Sequence, residues 1–391
     1  MTETDPLRIL HLITSLNPAG GGVAEGLRSL TACAAEVGIG QTVVSLDAPD
    51  APWLDLGHAR AIGLGPARLG TFSYAPQMLP WLRAHAAGFD AAVVHGLWQY
   101  PGVAARLALR SSGVPYFVYP HGMLGPWFKH HHPLKHLKKS LYWRIAQHAV
   151  LADAAAALFT CEEERRLARD SFKPYRLREA VVSFGTTIPV DSASGDSSVF
   201  LDAFPMLRGR RLVLFLGRLH PIKGCDLLLE GFAQVAQQTD LHLVMAGPDP
   251  VGWQQRLQRS AARLGIGDRV TWTGMLPASL KWSALRAADC VALPSHHENF
   301  GMTVAESLAV GTPVLISDKV NIWREIDADG AGLVAPDTRD GTASLLQRWL
   351  ALAPDARRQM AERARDCFAQ RFEMRRAVEN LLRVISAERP A

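Results

Sequence analysis

Short apolar runs alternate with segments of helical spacing along most of the chain. Runs at 7–13, 41–46, 91–95 and 116–119 read as buried strands, and the patterns at 23–36, 74–86 and 103–111 read as helices between them. A second series opens with a strand at 210–217. It continues with strands at 242–246, 269–272, 290–293 and 314–317 and with helices over 341–353 and 355–372. Strand–helix alternation of this kind predicts an α/β protein with parallel, doubly wound sheets, which bind ligands beyond the carboxyl ends of their strands. The first series closes after Ala180, Phe184 and Gly185, and the polar stretch 191–198 reads as a linker.

The richest strand-to-helix passage runs from Pro294 to Ser317. Met302, Val304, Ala305, Leu308 and Ala309 recur at helical spacing, which puts the helix entrance at Phe300, Gly301, Met302 and Thr303, behind Asn299. Glu298 then lies on the loop and Glu306 near the first turns. A helix entrance offers N–H groups and partial positive charge, which suits phosphate, while ionised carboxylates accept hydrogen bonds from hydroxyls. Together they suit a ligand both anionic and hydroxyl-rich, such as a nucleotide sugar. On these two residues alone, a helix-dipole and loop-capping role is an equally good reading.

Other strand ends carry chemistry too. Gly20, Gly21 and Gly22 follow the first strand and open its helix, letting backbone approach a ligand, although the spacing is not that of a nicotinamide-dinucleotide site. Arg218 and Lys223 share the loop after 210–217, and two cations five residues apart can neutralise a diphosphate together. His95 with Trp98, and His121, begin the loops after the third and fourth strands; for His95 a packing role stands beside a functional one.

Composition narrows the alternatives. With 391 residues, two domains of common size are expected, and 48% hydrophobic residues mark a globular chain. The net charge of +5 is too mild to argue for nucleic acid. Its distribution is uneven, since no Asp or Glu occurs between Asp90 and Asp153. Within that gap, residues 127–149 form a basic, aromatic segment with Leu134, Leu137, Leu141, Trp143 and Ile145 as an apolar side and Lys135, Lys138, Lys139 and Arg144 outside it. Three readings stand open: a solvated helix face, a grip on anionic lipid, or a dock for a phosphate-bearing acceptor. His130, His131 and His132 have no Cys or carboxylate nearby to complete a metal site. Five scattered cysteines suggest a reducing, cytoplasmic setting, and the acidic N-terminus with its short apolar run does not read as a signal peptide, so work at a membrane would be from its surface.

Taken together, Glu298-x7-Glu306 with Asn-Phe-Gly-Met inside it, and the Gly217-Arg218 to Lys223-Gly224 loop, resemble the signature of the family 4 glycosyltransferases. The resemblance implies the GT-B fold, two Rossmann-like domains facing a cleft, and transfer from a nucleotide-diphosphate sugar to an acceptor hydroxyl with retention of configuration, in polysaccharide or glycoconjugate assembly. It implies an acceptor-side domain over 1–188, a linker region at 189–206, a donor domain over 207–372 and a last helix, 373–391, returning to the first domain. Carried over by position, Glu298 lies by the donor sugar, Glu306 holds the ribose, Arg218 and Lys223 take the diphosphate, and Gly21 and Gly22 face it. Met275 lies on the turn that lines the base, and His121 contacts the sugar near the reacting carbon. His95, Trp98, Lys135, Lys138 and Lys139 are acceptor-side candidates, a glycan or lipid-linked acceptor is the expected partner, and no metal or other cofactor is implied. An epimerase or phosphorylase of the same fold, or a subunit that only binds a nucleotide sugar, are the competing readings.

Overall fold

The computed structural model describes residues 7–18, 21–127, 129, 133–189, 196–236 and 240–388. Gly20 and the run His130, His131, His132 lie outside the described residues, as does most of the polar stretch 191–198. The chain divides into two compact units, the first from residues 1–185 and 374–391 and the second from residues 186–373.

In the first unit seven strands form one sheet, β1 Arg8–Leu12, β2 Gly40–Ser45, β3 Arg60–Gly63, β4 Ala91–His95, β5 Tyr116–Tyr119, β6 Ala156–Phe159 and β7 Glu179–Val181. Their order is β3-β2-β1-β4-β5-β6-β7, with every pair parallel. Burial on both faces explains why β4, β5 and β6 are apolar without alternation, each strand being buried along its whole length. The second unit repeats the plan with β8 Arg211–Leu216, β9 Leu241–Ala246, β10 Val270–Gly274, β11 Cys290–Leu293, β12 Val314–Ser317 and β13 Gly332–Ala335, in the parallel order β10-β9-β8-β11-β12-β13. These are the two doubly wound sheets that the alternation predicts. The strand order reverses between β1 and β4 in one sheet and between β8 and β11 in the other, and a doubly wound sheet opens its ligand crevice at such a point.

One feature departs from the sequence pattern. Within the stretch expected to link the domains, Ser198–Ala203 is a helix that buries Phe200, whose N–H donates to Ser283 Oγ at 2.9 Å. At the other end, the chain leaves the second unit at Glu373 and the helix Met374–Ala387 belongs to the first. There it packs on the helix Gly22–Glu36 and buries Met374, Ala377, Val378, Leu381 and Ile385.

Candidate functional site

In the second unit the loop after β8 is held by His220, whose ring accepts from the Ile222 N–H at 3.2 Å and caps the turn Pro221–Lys223. Gly224 follows at φ 65°, and a Cβ there would lie 2.1 Å from the carbonyl oxygen of Pro294. Only glycine allows both the left-handed backbone and the approach of this loop to the one after β11. That approach brings Lys223 to Glu298, and the two side chains form an ion pair, each largely shielded from solvent. Glu298 is itself clamped through its backbone: its N–H donates to Lys319 at 3.0 Å, and its carbonyl accepts from the Asn321 N–H at 3.0 Å. Arg218 stands on the same loop as Lys223 and is exposed.

Gly301, at φ 76°, turns the chain into the helix Met302–Ala309, in which Val304 and Ala305 donate back to its carbonyl. The side chain of Glu306 is buried in that helix and accepts from Lys281 Nζ at 2.6 Å. Lys281, from the helix Ala278–Ala287, was not singled out by sequence, because a single lysine on a helix resembles any solvated position. The result is two carboxylates, each held by a lysine, beside one helix N-terminus. Each lysine holds its carboxylate in place, and the helix end adds N–H donors for an anion.

Among the other donor-side candidates, Asn299 accepts from Asn321 Nδ2 at 3.3 Å, and Met302 and Thr303 are half-buried in the first helical turn. Phe300 turns its ring inward against Phe372, 5.7 Å between centroids, so it offers a ligand its backbone and no side chain. Met275, beyond β10, is 76% exposed.

The first unit builds a different feature at the switch between β1 and β4. His121 Nε2 lies 3.1 Å from His95 Nδ1, His95 Nε2 lies 3.1 Å from His11 Nδ1, and His11 Nε2 lies 2.6 Å from Gln41 Oε1. Burial pushes His11 down to about 4 and His121 to about 3. It holds His95 well below its ordinary value, with the charges of His11 and His121 adding to the effect. All three rings are therefore neutral near pH 7, each with one N–H and one lone pair. If Gln41 accepts at the buried end, each ring in turn must donate inward, and His121 Nδ1 is left as an acceptor. Reversing the amide reverses the whole chain. Gln41 and His11 thus set which face His121 presents, a role that no local sequence motif signals.

His121 is also fixed sterically. Its ring stacks on His95 and Tyr119 and meets the edge of Phe184. Its backbone stands at φ 48°, an uncommon region for a residue with a Cβ. The turn after it is tied by Glu164, which accepts from the Gly122 N–H at 2.5 Å and from Thr160 N and Oγ1 at 2.7 Å. After β1, Asp47 accepts from Ser15 Oγ, Leu16 N and Ser45 Oγ at 2.6 to 2.8 Å, steadying the approach to Gly21, the N-cap, and Gly22, the first helical residue.

The basic segment corrects two sequence expectations. Trp143 does not share a side with Leu134 and Leu141. It is fully buried, stacked on Phe172, with Nε1 donating to Pro174 at 2.8 Å. Lys139 is not outside that apolar side either: its ammonium sits 4.7 Å over the ring of Trp98, and burial together with Lys135 lowers its pKa. The reason is that the helix needs a docking side, and the large indole buries more apolar area there than any leucine would. Trp98 itself, at φ 71°, donates its N–H to Gln147 at 2.8 Å, while Lys135 and Lys138 are exposed. Among the described residues, no group of three or more His, Cys, Asp or Glu could hold a metal ion.

Comparison with known proteins bears on both units. Residues 203–366 match the family model of glycosyl transferases group 1, and residues 21–185 match that of the glycosyl transferase 4-like domain. The fold is shared with solved glycosyltransferases. HepE of Anabaena in complex with UDP-glucose superposes with a TM-score of 0.75 at 18% identity, covering 97% of this chain and 100% of that one. The sucrose-phosphate synthase of Thermosynechococcus elongatus gives 0.74 at 20% identity, covering 97% and 99%. The two units thus define a GT-B protein, and the chain belongs to the family 4 glycosyltransferases. A D-inositol 3-phosphate glycosyltransferase of Nocardia farcinica is 30% identical over 210 residues, covering 52% of this chain and 44% of that protein. One of Saccharomonospora viridis is 34% identical over 181 residues, covering 44% and 41%. The chain therefore spans less than half the length of these two curated relatives.

Proposed function

We propose that this protein transfers a sugar from a nucleotide-diphosphate sugar to an acceptor hydroxyl, with retention of anomeric configuration, in polysaccharide or glycoconjugate assembly. The observation that carries the reading is the pairing of Lys223 with Glu298 and of Lys281 with Glu306 beside the N-terminus of Met302–Ala309. Glu306 accepts hydrogen bonds from the ribose hydroxyls and Glu298 from the donor sugar. The helix end, Arg218 and Lys223 hold the diphosphate. As the bond between the anomeric carbon and the diphosphate oxygen breaks, negative charge builds on that oxygen, where fixed cations stabilise it most. The same oxygen takes the proton of the acceptor hydroxyl as the new carbon–oxygen bond forms on the face the nucleotide leaves. In the first unit, His121, neutral and held by its chain of rings, is the residue that the family resemblance assigns to the donor sugar. The cations of the site occupy the position that a metal would serve elsewhere.

The test is a thermal-shift screen with a panel of nucleotide sugars, followed by turnover of the stabilising donor with product anomers read by NMR. Lys223→Ala should weaken nucleoside-diphosphate binding and slow turnover ~10²-fold. An unchanged rate at saturating donor would remove Lys223 from the role. Donor binding without turnover of any acceptor would favour a subunit that only binds nucleotide sugar.

A further inference from the structure

The helix Pro133–Tyr142 continues into the π-helical turn Trp143–Gln147, and the two sides of this segment differ sharply. One side docks on its own unit. His136 stacks on Phe172 with 4.8 Å between centroids, Lys139 covers Trp98, Trp143 is buried, and Gln147 accepts from Trp98. The other side carries Leu134, Leu137, Leu141 and Ile145, which are 77%, 68%, 62% and 72% exposed. Their spacing of three, four and four residues lines them up in one stripe. Exposed Lys135, Lys138 and Arg144 flank it, and a groove lined by Leu137, Lys138, Ser140, Leu141 and Arg144 lies along it.

We propose that this stripe docks the first unit onto an anionic lipid surface, with the segment lying in the plane of the interface. Four large aliphatic side chains in a row are costly to leave in water, and a contiguous apolar patch rimmed by charge marks an interaction surface. The rim chooses the occupant. Every charged residue of 91–152 is basic, so a bilayer of anionic headgroups is complementary, whereas a second copy would bring like charges together. Because the inner side is already packed, the helix is formed before it meets the lipid, and little ordering entropy opposes binding. Among the described residues no helix is long and apolar enough to cross a membrane, so this contact is peripheral. The inference does not depend on the proposed chemistry.

Sedimentation of the full chain with vesicles of phosphatidylcholine, alone or with about one third phosphatidylglycerol, tests it. Wild type should sediment with the anionic vesicles and be released as salt rises. Lys135→Glu with Lys138→Glu should weaken partition about tenfold or more. Leu137→Ser with Leu141→Ser should weaken it at low salt as well. Both variants change only exposed positions, and an unchanged melting temperature checks that they fold. Absence of wild-type sedimentation, or equal sedimentation with neutral vesicles, would overturn the proposal. So would a dimer in light scattering that is lost in the Leu137→Ser, Leu141→Ser variant, which would give the stripe to a second copy, or capture of an acidic protein in place of vesicles.

Discussion

The residues with the strongest environment are three histidines that carry no charge. Buried in a row, His11, His95 and His121 exchange hydrogen bonds only while each ring keeps one lone pair. An unfolded chain has no such constraint and protonates them near their ordinary 6.5. Because the folded value of His11 is depressed to about 4, its contribution to stability is complete above pH 6.5 and is lost as the pH falls toward 4. For His11 alone that loss is on the order of 3 kcal/mol. The slope of melting temperature against pH between 6.5 and 4 should therefore flatten in His11→Asn, even though that variant is less stable at pH 7. Parallel slopes would show that the ring is protonated in the folded protein. At the same scale, removing Lys223 or Lys281 would take an ion-pair contact from a shielded carboxylate, a loss costlier than that of a surface pair.

At the scale of elements, the helix Gly22–Glu36 connects the glycine loop to the histidine row through one missing side chain. A Cβ on Gly26 would fall 1.9 Å from Phe184 Cε1, and Phe184 is the ring that meets His121 and Tyr119 edge-on. Gly26→Ala should destabilise the protein by about 1–3 kcal/mol through overpacking. Adding Phe184→Leu should restore part of that loss, read as recovery of the urea midpoint. No recovery would mean that the helix yields and not the ring. The helix Met302–Ala309 shows the opposite economy, since its eight residues bury Val304, Ala305 and Leu308 while its open end stays at the site.

At the scale of the whole molecule, the first unit is assembled from two distant parts of the chain. Removing residues 374–391 would delete the five buried side chains of the helix Met374–Ala387 and uncover the surface of the helix Gly22–Glu36 on which they pack. Burial of side chains of this kind contributes about 1.5–3 kcal/mol each when they are large. The truncated chain should therefore lose most of the stability of its first unit. The second unit, continuous over residues 186–373, should keep its thermal transition and its stabilisation by nucleoside diphosphate. A single transition lowered for both units alike would refute their independence.

What the sequence by itself determined is whatever rests on neighbours along the chain. The two parallel sheets follow from local alternation, and β4, β5, β11 and β12 begin and end where their apolar runs do. The strands β3, β6, β7 and β13 went unread, because Arg60, Glu179 and Gly332 interrupt three of these runs and the Ala-rich run of β6 suits a helix as well, until a neighbouring strand supplies their hydrogen bonds. Glu298, Glu306, Arg218 and Lys223 were legible as loop and helix-entrance chemistry. Only tertiary structure brought Lys281 to Glu306, Glu164 to Gly122 and Gln41 to His11, pairs separated by 25 to 42 residues. Only packing, too, decided which side of the basic helix is its inside. Periodicity marks an apolar stripe but does not tell whether protein or solvent lies against it, and Trp143 went inward while four aliphatic residues stayed out.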